Sequence, residues 1–249
     1  MTITEGELIL HGRIMPASNA TFLGEIDGTK VVYKPVAGER PLWDFPDGTL
    51  ARRERAAYLV SEALGWHVVP ETVLRGGPHG EGMVQRWIGV EDNVQPVDVV
   101  RCGHTPEGFL EVFDGVDEHD QPVTLVHEDT AALRRMAVFD AITNNADRKG
   151  GHVLAAADGM RHGVDHGICF HTDDKLRTVL WGWAGAPLTD EEIEGVRRVA
   201  RDGALHEALD DLLSVPEVES FVARCTGLAA QATMPEPGVG WPSIPWPPY

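Results

Sequence analysis

The stretch from Ala137 to Phe170 constrains this chain more than any other, because its elements can be laid out almost residue by residue. An apolar helix leads into the polar loop Asn144-Asn145-Ala146-Asp147-Arg148-Lys149-Gly150-Gly151-His152. A strand Val153-Leu154-Ala155, a turn at Asp158-Gly159 and a second strand closing on Val164-Asp165-His166-Gly167 follow. A two-stranded hairpin brings the residues just before its first strand near those just after its second. Asp147 and Asp165 are therefore expected side by side, with His152 beside them as a third polar ligand candidate. Phosphoryl transfer needs such a grouping: one carboxylate orients or deprotonates the acceptor while another holds metal on a triphosphate.

The run "AVFDAITNNADRKGGHVL" followed by "GVDHGICF" resembles the catalytic loop and metal-binding segment of the phosphatidylinositol 3/4-kinase-like family, among them the type II phosphatidylinositol 4-kinases and the bacterial toxin-type kinases. Those enzymes carry Asp-Arg, then Asn five residues after the Asp, then Asp-x-Gly across a hairpin. Asp147-Arg148 and Asp165-His166-Gly167 match, but His152 stands where the pattern has Asn. The resemblance implies a two-lobed α+β fold of the protein-kinase-like, PI3/4-kinase-like class. It also implies ATP with Mg or Mn as cofactors. Asp147 would orient or deprotonate the acceptor hydroxyl, Arg148 would steady the loop, and Asp165 and His152 would hold metal. An imidazole in that position predicts a weaker second magnesium site, a preference for a softer metal, or a relative that binds nucleotide without catalysis.

The N-terminal third reads in the order of a kinase nucleotide lobe. Strands are expected over Leu8–Ile14 and Thr21–Ile26, joined by Met15-Pro16-Ala17-Ser18-Asn19-Ala20, and a third strand Val31-Val32-Tyr33-Lys34 follows the Asp27-Gly28 turn. By the resemblance, Ser18 and Asn19 offer donors to phosphate oxygens, and Lys34 reaches the α- and β-phosphates. Residues 37–48, rich in Pro and Gly, read as a loop. A helix from Leu50 to Leu64 ends at Gly65, with an apolar stripe of Ala56, Leu59, Val60, Ala63 and Leu64. Glu54, the counterpart of the glutamate that pairs with the strand lysine, lies nearly opposite that stripe and is expected to face the interlobe cleft. Two more strands, Val68–Leu74 and Gly82–Ile88, complete the lobe; Gln85 on the second is assigned to the nucleotide site.

The boundaries that follow are a nucleotide-binding lobe over 1–88, a mostly helical catalytic lobe over 89–233, and a Pro/Trp-rich tail over 234–249. Pro96 to Leu125 carries no clear periodicity. A helix capped by Asp129 is expected to run to Thr143, apolar nearly all round, so its Asp140 must find partners and is placed behind the catalytic loop. Thr189 and Glu192 form a capping-box pattern for a helix to Arg201, and helices are expected over 204–213 and 216–231. The tail is either irregular or an apolar strap carrying Trp241 and Trp246.

Composition narrows the partners. A formal charge of −18 argues against broad nucleic-acid binding and against electrostatic docking on anionic membranes. The opening MTITEGELIL has no basic region before an apolar core, and no run is long enough to span a bilayer, so neither signal peptide nor membrane insertion is expected. Three widely spaced cysteines suggest no disulfide framework, and the cytoplasm is the expected compartment. The expected partners are ATP and an acceptor that is a protein side chain or small molecule rather than a lipid. Three alternatives stay open: a nucleotide-binding pseudokinase, an AMP transferase on the same scaffold, and a metal hydrolase using His152, His162, Asp165, His166 and His171.

Overall fold

The structure, a computed structural model, describes residues 2–15, 17, 19–91, 93–238 and 242–249. Its N-terminal part is an antiparallel sheet of β1 (Ile9–Arg13), β2 (Phe22–Ile26), β3 (Thr29–Pro35), β4 (Thr72–Gly77) and β5 (Gly80–Arg86), in the order β1-β2-β3-β5-β4. Alternation along β3 separates its faces. Val31 and Tyr33 enter a small core with Ile3, Leu8, Ile26, Val73 and Val84, so Lys34 points to the opposite face. That orientation is fixed by pairing, because Lys34 lies across from Met83 of β5.

The helix α1 (Leu50–Leu64) sits between β3 and β4 in sequence but packs elsewhere. Its Ala56, Ala57, Val60 and Leu64 belong to the larger core, together with residues of α2 (Ala131–Thr143), α3 (Asp190–Arg201), α4 (Gly203–Asp210) and α5 (Val215–Gln231). Gly65 ends α1 in a left-handed conformation, φ 65°, where a side chain would be strained. Arg53 fixes the helix from one side and is 1% exposed. It donates to the carbonyl of Cys169 at 2.7 Å and pairs with Glu217 of α5, and it lies over the ring of Phe45. Arg198 of α3 donates to the carbonyls of Ala63 and Leu64, covering the other end.

Residues 97–128, which carried no legible pattern, form a second antiparallel sheet of β6 (Val97–Arg101), β7 (Phe109–Val116) and β8 (Pro122–Glu128), in the order β6-β8-β7. The bulge between Glu111 and Phe113 breaks the alternation of β7, which hides the strand from period-two reading. The hairpin β9 (Val153–Ala155) and β10 (Arg161–Gly163) pairs in register, Val153 opposite Gly163.

Several boundaries differ from expectation. The cap of α2 is Thr130, whose hydroxyl accepts from Leu133 N at 3.3 Å; Asp129 instead accepts from the indole of Trp183 at 2.8 Å. β4 begins at Thr72 rather than Val68 because Pro70 has no N–H to give a ladder. The Thr189–Glu192 capping box is present in both directions, at 3.2 and 2.8 Å. In the tail, Trp246 is exposed, and the chain is held by backbone bonds and Tyr249; Trp241 lies outside the described residues.

Because Arg53 is buried with a charged partner, removing it leaves a cavity and takes from Glu217 its cationic partner. Arg53→Ala should lower unfolding free energy by about 3–5 kcal/mol, read as a reduced urea midpoint, whereas a solvated helix arginine would change it by under about 0.5 kcal/mol.

Candidate active site

The helix α2 ends at Thr143, and Asn144 turns the chain sharply with φ 52°. Five residues back from Asn145, Asp140 faces into the bend. Asp140 and Arg148 are both fully buried and form a two-point ion pair, Nε to Oδ2 at 2.9 Å and Nη2 to Oδ1 at 2.8 Å. Arginine has five N–H donors in a planar fork, and every one is used here. Nη1 donates to the carbonyls of His152 and Val164, each at 3.2 Å, and the remaining Nη2 hydrogen goes to His166 Nε2 at 2.6 Å. Asn145 also donates to Asp140 at 2.9 Å and accepts from Asp147 N–H at 3.0 Å. One buried cation thus ties the end of α2, the loop and both sides of the hairpin.

Above this frame four side chains meet. Lys34 Nζ lies 2.8 Å from Glu54 Oε1 and pairs with Asp165 Oδ1. Glu54 is 3% exposed, and its second oxygen accepts from His166 N–H at 3.0 Å. Asp165 adopts φ 61°, a left-handed conformation that is uncommon for a residue with a side chain and tends to persist where the surroundings enforce it. His152 Nε2 stands 3.4 Å from Asp165 Oδ2. Its Nδ1 lies 2.9 Å from the carbonyl of Asp147, which can only accept, so that nitrogen carries the hydrogen. Asp147 itself is partly exposed, with Lys149 Nζ at 3.5 Å.

The charges follow from these contacts. Burial would lower the pKa of Lys34, but Asp165 and Glu54 outweigh it and hold the ammonium above the ordinary lysine range. The Lys34 charge in turn holds Asp165 well below the usual carboxylate range, against the opposing effect of burial. Burial pushes His152 below its ordinary value although Asp165 opposes it. A neutral His152 with hydrogen on Nδ1 turns its Nε2 lone pair toward a carboxylate oxygen. Either a proton on Nε2 or a metal cation between the two groups satisfies this facing pair. Two ligands of one cation, at bond lengths of about 2.1 Å, stand roughly 3 Å apart, so His152 and Asp165 could hold a divalent ion as two of its ligands.

The structure brings together Lys34, Glu54, Asp165 and His152; Asp147 joins them through its backbone carbonyl, which accepts from His152, while its carboxylate faces Lys149. Arg148 is fully buried and reaches no surface, so its place is beneath the loop. Ser18 lies outside the described residues. Asn19 accepts from Arg40 N–H at 2.9 Å, which ties its loop to the chain after β3. Gln85 shares a sheet face with Lys34, but its amide is buried and donates to Thr72 at 2.8 Å, so it is engaged within the sheet. The hydrolase set does not assemble: His166 accepts from Arg148, His171 contacts the carbonyl of Asp44, and no group of three or more His, Cys, Asp or Glu that could hold a metal occurs among the described residues. Sequence reading missed the central position of His166, which lies between the two residues of a short Asp-x-Gly motif and shows no periodic signal of its own.

No family model matches the chain. A structural comparison aligns it with the crystal structure of a Helicobacter pylori proinflammatory kinase, CtkA, at a TM-score of 0.50 and 12% identity, covering 93% of this chain and 94% of the other. The fold is kinase-like, as the sequence implied. Protein Rv2133c of Mycobacterium tuberculosis is 48% identical over 262 residues, 99% of this chain and 94% of its own length. The chain belongs to the same family as that protein.

Two buried histidines give the fold a pH signature. His127 of β8 accepts from Gly182 N–H at 3.0 Å and His166 accepts from Arg148. Burial depresses both pKa values, and for His166 the Arg148 charge depresses it further. The unfolded chain therefore binds protons below about pH 6.5 that the folded chain refuses. Their contribution is present above that pH and is lost as pH falls toward the folded values, at up to about 1.4 kcal/mol per pH unit for each histidine. Urea midpoints should fall steadily from pH 7 to pH 5, and a flat profile would contradict the assignment.

Proposed function

We propose that the chain is an ATP-dependent phosphotransferase with a PI3/4-kinase-like active site, transferring phosphate to a hydroxyl of a protein or small molecule. The observation that carries this reading is Asp165 held between the Lys34 ammonium and His152 Nε2, with Glu54 locking Lys34 in place. Lys34 would hold the phosphates, Asp165 and His152 would hold magnesium or manganese, and Asp147 would orient or deprotonate the acceptor. The metal would neutralise charge on the phosphate oxygens during transfer. Arg148 and Asp140 hold the loop from beneath. The charge of −18 favours a non-lipid acceptor; no helix among the described residues is long and apolar enough to cross a membrane. Three free cysteines, two of them buried, suit the cytoplasm.

The test uses ATP labelled at either the α- or the γ-phosphate. γ-Label on a product, or ADP release with water as acceptor, supports phosphotransfer; α-label on a product would show AMP transfer instead, and tight nucleotide binding without turnover would show a pseudokinase. Asp147→Ala should leave nucleotide affinity unchanged and slow turnover by about 10²–10⁴, because an acceptor-orienting base acts in the transition state. Parallel loss of affinity would count against that role.

His152 decides the metal. Neutral imidazole suits manganese better than magnesium, which favours oxygen donors. Wild-type turnover should therefore be higher with manganese, and His152→Asn should move the preference toward magnesium. Identical metal preferences in the two proteins would leave Asp165 as the protein's metal ligand and reduce His152 to a hydrogen-bonding role.

A further inference from the structure

The segment 242–249 is laid against the catalytic loop at two places. The carbonyl of Ser243 accepts from Thr178 N–H at 3.0 Å and from the Trp181 indole at 2.8 Å. Thr178 in turn pairs with the loop: Arg148 N–H donates to the carbonyl of Arg177 at 3.0 Å and Val179 N–H to the carbonyl of Arg148 at 3.1 Å. Further along, the carbonyl of Pro248 accepts from Gly150 N–H at 2.8 Å, and the Tyr249 hydroxyl donates to the carbonyl of Val97, at the start of β6.

Gly150 shows how close this contact is. A Cβ at that position would stand 2.8 Å from two atoms of the Tyr249 ring and 3.1 Å from a third. Its backbone is not left-handed, since it is absent from the residues with positive φ. The nearest atoms a side chain there would meet are all in that ring, which would have to move, while the backbone conformation does not call for glycine. Gly150 lies three residues after Asp147 and two before His152, between the acceptor-side carboxylate and a proposed metal ligand.

We propose that Tyr249 is a positioning residue for the phosphotransfer reaction, holding the loop 147–152 through its packing on Gly150. The role rests on the reading of that loop as catalytic. The ring and the Pro248 carbonyl cover one side of the loop, while Arg148 anchors it from the other. Without the strap the loop keeps its buried anchor but gains freedom at Gly150, and displacement of Asp147 by about 1 Å is enough to slow transfer on the order of 10²-fold.

The experiment measures ADP release and ATP affinity in the full chain carrying Tyr249→Gly, Gly150→Ala, both together, and Tyr249→Phe. Each of the first two should slow turnover about 10-fold or more with ATP affinity unchanged, since Lys34, Glu54 and Asp165 keep their contacts. The double variant should be no slower than either single one, because both substitutions disable one contact. Tyr249→Phe keeps the ring and should retain most of the rate. Wild-type turnover in Tyr249→Gly, or additive losses in the double variant, would overturn the proposal. Hydrogen exchange provides an arm that needs no activity: amides at 148–152 should lose protection equally in Tyr249→Gly and Gly150→Ala, with those of α2 unchanged. Absence of that change overturns the positioning role, while absence of ATP turnover in the wild type overturns only the catalytic reading.

Discussion

The buried pair of Asp140 and Arg148 is the interaction on which the candidate site depends. Removing two charges from water costs several kcal/mol per ion, and Coulomb attraction offsets this only where geometry is good and every remaining donor is satisfied. That condition is met, with the five N–H groups of Arg148 shared among Asp140, two backbone carbonyls and His166. The two carbonyls belong to His152 and Val164, which face each other across the mouth of the hairpin, where Val164 N–H also donates to the carbonyl of His152 at 3.0 Å. An apolar pair of similar volume would leave the His152 and Val164 carbonyls and His166 Nε2 without the donors that Arg148 supplies. The buried charge therefore fixes where the loop lies relative to α2 and the hairpin.

A second dependence runs through α1. Consecutive residues on that helix face different partners: Arg53 is sealed into the larger core with Glu217 and Cys169, and Glu54 reaches Lys34 and the backbone of His166. A helix bolted to the larger core by a buried arginine and by Arg198 at its end has little freedom to rotate. Glu54 is therefore presented to the sheet as a fixed partner. Lys34 reaches it from the face of β3 opposite the small core, so one strand's alternation and one helix's anchoring determine the ion pair. Cys169 sits beside these groups, and burial pushes its thiol far above the ordinary range, which leaves it an inert packing residue.

The legible parts of the sequence are those in which local order carries the information. The loop and hairpin around Asp147 and Asp165 span few residues, and the pairing of Val153 with Gly163 closes the hairpin beside the loop. The helix from Leu50 to Leu64 showed its period and its terminating glycine, and the face bearing Glu54 could be placed by rotation. What stayed hidden depended on distant partners. Arg53 looks like a solvated charge until Glu217, far along the chain, meets it. Gln85 looks available until Thr72 on the neighbouring strand takes its amide. A bulge broke the alternation of β7 within the sheet over 97–128, and the tail gave no helix or strand pattern because backbone carbonyls and one tyrosine ring hold it.

The histidine at position 152 shows why a departure from a motif can still serve the motif's chemistry. Its ring spans two segments: Nδ1 donates to the carbonyl of Asp147 while Nε2 faces Asp165. A hydrogen bond from one ring nitrogen fixes the tautomer and orients the other, the same device by which carbonyls and carboxylates orient metal-bound imidazoles. An asparagine is shorter, and its amide would have to choose between the loop carbonyl and the cleft. Imidazole does both, because its two nitrogens point in divergent directions from one rigid plane. Under the proposed reading, the substitution exchanges an oxygen ligand suited to magnesium for a pre-oriented nitrogen, and it couples the position of Asp147 to that of Asp165 through one ring.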